Sequence, residues 1–111
     1  MMTRFGIHID SDLVLRKIDS LVNRFYKILP LKENGEKSLP IYIESLEREM
    51  IGYGDLILAL GKDDSYLTLL AILDYMGHHD CEVKTVRFEV FRAINILHKM
   101  KARYVKEADG L

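Results

Sequence analysis

His78, His79, Asp80 and Cys81 place an imidazole pair, a carboxylate and a thiol in one short turn. These are the side-chain types that ligate zinc and related transition metals. Their spacing argues against such a site, because adjacent ligands in a single turn do not converge on one tetrahedral ion. The chain has no second cysteine, and its remaining histidines are His8 and His98. The same turn raises a second chemistry, since a cysteine just ahead of a helix gains thiolate character and a neighbouring imidazole could act as its base. Nucleophilic catalysis also needs an oxyanion site and a base on the correct side, which nearness in sequence does not supply. The plainer expectation is a polar connection between helices, with Asp80 as a cap and Cys81 as a small residue at a helix start.

Carboxylates recur at Glu44, Glu47 and Glu49 and again at Asp63 and Asp64. Paired carboxylates can perform acid–base work or hold a hard cation. Here they fall on faces expected to be solvated, and Glu44 and Arg48 have the spacing of a surface ion pair worth about 0.2–0.5 kcal/mol. No G-x-S-x-G, Walker, Rossmann or H-E-x-x-H pattern occurs. The sequence therefore supports no catalytic residue, no metal ligand set and no cofactor.

The asymmetry that stands out is charge. Lys84, Arg87, Arg92, Lys99, Lys101, Arg103 and Lys106 give the last predicted helix a basic bias in a chain of net charge −1. At about 100° per residue, Arg92, Lys99, Arg103 and Lys106 share a face away from the apolar stripe, and Phe88 projects to that side. Phe91 also lies off the centre of the stripe. Cations with aromatics can bind an acidic partner or phosphate; cations near a helix C-terminus also offset its dipole, by roughly 0.3–1 kcal/mol each. A helix that is apolar on two sides is either centrally buried or part of an interface, and a short domain can gain burial by forming a homodimer. The expected partner-binding set is Phe88, Phe91, Arg92, Lys99 and Arg103. A protein partner or self-association is the favoured use. Nucleic acid, gripped by the helices on either side of the 77–81 turn, is the alternative, and the near-neutral charge weighs against it.

Helices must position these residues. Leu15, Ile18, Val22, Phe25 and Leu29 recur at steps of three and four, widened by Val14, Leu21 and Ile28, and predict a first helix capped by Asp10 or Ser11 and limited by Pro30. After a polar turn over 32–37, Ser38 can cap a second helix with Pro40 in its first turn and Leu39, Ile43, Leu46 and Met50 inward. Gly52 and Gly54 are expected to interrupt it, and Leu56 to Leu60 to form a short extra helical segment. A helix from Tyr66 to Met76 follows, capped from the 62–65 break and lined by Leu69, Leu70, Leu73 and Met76, with Gly77 at a left-handed C-terminal cap. The last helix runs from about Glu82 to Lys106 on a stripe of Val86, Val90, Ala93, Leu97, Met100 and Tyr104.

The resulting fold class is all-α, an up-and-down bundle of four main helices plus the short segment. A chain of 111 residues, 49% hydrophobic and 30% charged, suits one domain over 1–111, with residues 1–9 expected as a loosely packed arm. A single cysteine, no apolar signal core and no apolar run of membrane-spanning length point to a reducing, cytoplasmic setting. The segments Leu15-Arg16-Lys17-Ile18, Tyr26-Lys27-Ile28-Leu29 and Leu31-Lys32-Glu33, continued by Leu46 to Gly52, resemble the beginning of a family of small uncharacterised bacterial helical proteins. That likeness covers about the first half of the chain. It implies a compact helical architecture and a bacterial origin, and carries no activity.

Overall fold

The computed structural model describes residues 11–109; the expected arm over 1–9 lies outside the described residues. Among the described residues the chain forms six helices and no strand: α1 (Ser11–Tyr26), α2 (Ile28–Glu33), α3 (Leu39–Leu56), α4 (Leu58–Gly61), α5 (Asp64–His78) and α6 (Val83–Asp109). The all-α bundle is present, with α1 and its continuation α2, α3, α5 and α6 as the main pieces and α4 as the short segment. α6 packs along α1, α2 and α5, while α3 packs along α5 and α4. At 27 residues α6 is about 40 Å long, close to the 45 Å long axis of the molecule.

Apolar periodicity accounts for the core. Val14, Ile18, Leu21, Phe25 and Ile28 are buried, whereas Leu15, Val22 and Leu29 are only partly so. Ile18 and Phe25 of the expected stripe are thus at its centre, while Val14, Leu21 and Ile28, expected at its margin, take the places of Leu15, Val22 and Leu29. In α5, Tyr66, Leu69, Ile72, Leu73 and Met76 are buried and Leu70 only partly.

Several punctuation residues act differently from expectation. Pro30 does not end the first helix, which breaks earlier at Lys27. Pro30 instead lies in the first turn of α2, where its missing N–H breaks no hydrogen bond. Gly52 and Gly54 do not interrupt α3, which continues to Leu56. A Cβ on Gly54 would stand 3.3 Å from the Tyr66 ring, and one on Gly61 would strike the Gly54 carbonyl oxygen. These two glycines let α3 and α4 meet backbone to backbone across the extended residue Ile57. Gly77 is not a left-handed cap either: it stays helical, and α5 ends one residue later with extended His79 as its cap. Asp80 does not begin α6, which starts at Val83.

Two carboxylates expected on solvated faces are structural. Asp63, only 9% exposed, caps α5 by accepting from the Ser65 N–H at 2.9 Å. It also accepts from the Tyr104 hydroxyl at 2.6 Å and from Arg103 at 3.0 Å, both on α6. Glu49 on α3 pairs with Arg24 of α1 and accepts from the Tyr53 hydroxyl at 2.8 Å. Arg24 in turn donates to the Tyr42 hydroxyl at 3.2 Å, which donates to the Arg24 carbonyl at 2.8 Å.

Burial alone would raise the Glu49 pKa, but the hydrogen bonds from Tyr53 and Arg24 outweigh it and hold the carboxyl below its ordinary value. A depressed folded-state pKa means stabilisation that is complete above the unfolded-state value and is lost as pH falls through the folded one. Urea unfolding between about pH 5 and pH 3 should therefore show a smaller loss of stability for Glu49→Gln than for the parent chain. Equal losses would contradict the ionic role of Glu49.

Candidate functional site

The inner side of α6 is the stripe that the sequence predicts: Val86, Val90, Ala93, Leu97, Met100 and Tyr104 are all buried. A helix with one side committed to the core presents the other outward; Phe88 lies two positions from both Val86 and Val90, and Phe91 two from Ala93, so both fall off the stripe. Phe88 is 65% and Phe91 48% exposed. Central burial is thereby excluded for both rings. The Phe91 ring meets Tyr26 of α1 edge-on, with centroids 6.2 Å apart and planes at 78°, which holds one wall of the surface in place. Lys84, Arg87, Phe88, Phe91, Arg92 and Asn95 line an open, mainly apolar groove of about 480 Å³.

The basic residues of α6 divide into two groups. Arg87 bonds Glu33 of α2 at 3.2 Å, Lys101 bonds Asp19 of α1 at 2.8 Å, and Arg103 bonds Asp63 at 3.0 Å. These three set α6 against its neighbours. Arg92 makes a bond along its own helix to Glu89 at 3.1 Å, and no ion pair is formed by Lys84 or Lys99 among the described residues. Of the five residues singled out from sequence, the structure brings Phe88, Phe91 and Arg92 into the groove. Lys99 lies two turns further along the same exposed face. Arg103 is exposed but drawn to Asp63, outside the groove lining. Lys84 and Arg87, which belong to the basic bias of the helix but not to the expected set, complete the groove with Asn95, which carries no sequence signal beyond its helical register.

The 78–81 turn has its own geometry. His78 Nδ1 donates to the Asp74 carbonyl and His79 Nδ1 to the Tyr75 carbonyl, both at 2.9 Å, so each imidazole is anchored to its own helix. The Asp74 carbonyl, with its nearby carboxylate, raises the His78 pKa above the ordinary histidine value. His79 stacks on Tyr75 with centroids 4.7 Å apart. Cys81 is buried while both histidines are exposed. Among the described residues no group of three or more His, Cys, Asp or Glu is placed to hold a metal ion. The turn instead forms one wall of a cleft of about 550 Å³, bounded opposite by the 31–40 connection and floored by Ile43, Met76 and Val86.

If the outer aromatic ring serves binding and not folding, Phe88→Ser should leave the unfolding free energy within about 0.5 kcal/mol of the parent, as for ordinary surface substitutions. A loss above about 2 kcal/mol in urea denaturation would mark Phe88 as part of the core. Compared with known protein families, curated proteins and solved structures, the chain finds no match.

Proposed function

We propose that this chain is a protein-interaction module that captures an acidic, amphipathic partner segment on the outer face of α6. The observation that carries this reading is the exposure of Phe88 and Phe91 side by side in a groove edged by Lys84, Arg87 and Arg92. Exposed aromatics flanked by cations supply both elements of a recognition surface, an apolar anchor and a charge that selects its opposite. A helical partner segment with apolar residues three or four apart and carboxylates beside them has the matching pattern.

Charge also selects between occupants. Two copies paired across a two-fold axis through this face would set Lys84, Arg92 and Lys99 against the same cations, a like-charge arrangement that disfavours association. An acidic partner turns each of those contacts into an attraction. Nucleic acid would profit from the cations but has less use for two apolar rings on a single helix, and the chain as a whole carries a net charge of −1. No helix among the described residues is long and apolar enough to cross a membrane. The setting we infer is the reducing cytoplasm, where the unpaired thiol of Cys81 persists.

The test is fluorescence anisotropy with a labelled helical peptide carrying two leucines four residues apart flanked by glutamates. Three comparisons accompany it: the same peptide with lysines in place of glutamates, a random-sequence DNA duplex at low salt, and the chain's own sedimentation. Saturable binding of the acidic peptide alone, weakened at least about tenfold by Phe88→Ser or Arg92→Glu, is the expected result. Preference for the lysine peptide or the duplex, or a concentration-dependent dimer lost on Phe88→Ser, would overturn it.

A further inference from the structure

A second concave feature lies where four helices meet around the 78–81 turn. We infer that the 550 Å³ cleft between the 31–40 connection, the end of α5 and the start of α6 binds a small amphipathic carboxylate, aliphatic or aromatic. Its volume falls in the range of small-molecule sites, which are largely apolar with a few polar groups that fix orientation. The floor is Leu39, Ile43, Met76 and Val86, a surface for an apolar body.

The polar element is Lys32. Its side chain is 21% exposed, so most of it is covered where it lines the cleft. Its one ion pair among the described residues is with Asp80 at 3.7 Å, and that carboxylate is fully exposed. Such a pair is weak and screened, because Asp80 gives up little hydration to make it. A carboxylate entering the cleft could approach closely enough for a charge-assisted hydrogen bond and displace this loose partner. Lys37 and the outward edges of His78 and His79 stand on the same rim, with Glu36 as the opposing charge. A cationic ligand would meet Lys32 as a like charge.

Gly77 supplies an independent reason to treat the space as kept open. It is helical, so no left-handed conformation demands glycine, and glycine there costs the helix about 0.5–1 kcal/mol relative to alanine. A Cβ at this position would stand 3.3 Å from Ile43 Cγ2, and both residues line the cleft, so a side chain here would crowd Ile43 at the cleft floor. The glycine therefore preserves volume at a position where the helix would favour a side chain.

Two-dimensional NMR of the ¹⁵N-labelled chain, titrated separately with decanoate, 1-naphthoate, decanol and decylamine below their aggregation limits, tests this. Expected are saturable shifts concentrated at Gly35, Met76, Gly77 and Val86 with one or both carboxylates, the stronger of the two identifying an aliphatic or an aromatic ligand. Decanol should bind about tenfold more weakly and decylamine more weakly still. Lys32→Gln should bring decanoate down to the level of decanol, and Gly77→Leu, folded by circular dichroism, should abolish the shifts. Should Gly77→Leu fail to fold, Ile43→Phe fills the same space and carries the same expectation. Shifts scattered over the surface, no shifts with either carboxylate, equal binding of decanol and decanoate, or binding indifferent to the filling variants would overturn the inference.

Discussion

Asp63 is the one charged side chain in the buried set of the described residues, and the placement of α6 depends on it. A buried carboxylate is tolerated only when its oxygens are supplied with donors, and here three are supplied from two helices: the Ser65 N–H at the start of α5, and the Tyr104 hydroxyl and Arg103 guanidinium near the end of α6. One residue thus caps one helix and fixes the position of another. Loss of either long-range donor would leave the carboxylate under-satisfied, a cost on the order of 1–3 kcal/mol. At its other end α6 is held by Arg87 on Glu33, and one turn before the Asp63 contacts by Lys101 on Asp19. Surface pairs of this kind contribute little energy singly. They do specify register, and register decides which residues of α6 point outward.

That constraint explains how one helix can serve two purposes. With Val90, Ala93, Leu97 and Met100 committed to the core and the anchoring bonds made at its edges, α6 does not need Phe88 or Lys84 for folding. Its outer face is free to be selected for recognition. The cleft beside the 78–81 turn follows from the same arrangement, since the start of α6 forms one wall while α5 and the 31–40 connection form the others.

How much of this was legible in the sequence depends on the range of the interaction. The α6 stripe is a strictly local pattern, and every residue assigned to it from periodicity is buried. The outward placement of Phe88 follows from the same register. Proline and glycine were less decisive, because Pro30 satisfies the rules for ending one helix and for starting another equally well, and Gly54 can break a helix or admit the Tyr66 ring. The partners of Asp63 lie 40 and 41 residues away, and Lys101 finds Asp19 across 82. No spacing rule connects residues so far apart. This is why the bond from Arg103 to Asp63 has no signal in the sequence. The carboxylate-binding cleft was invisible for the same reason: its lining comes from separated segments, and Lys32 in isolation is one lysine in a polar turn.

Asp63 and Tyr104 couple the start of α5 to the end of α6. A double-mutant cycle of Asp63→Asn and Tyr104→Phe, measured by urea denaturation, separates that coupling from the bonds of Asp63 to Ser65 and Arg103, which change equally in the single and the double variant. An interaction free energy of about 1 kcal/mol or more is predicted, with the double variant less destabilised than the sum of the two single ones. Additivity within about 0.3–0.5 kcal/mol would show that the bond does not hold α6 in place, and would contradict the account.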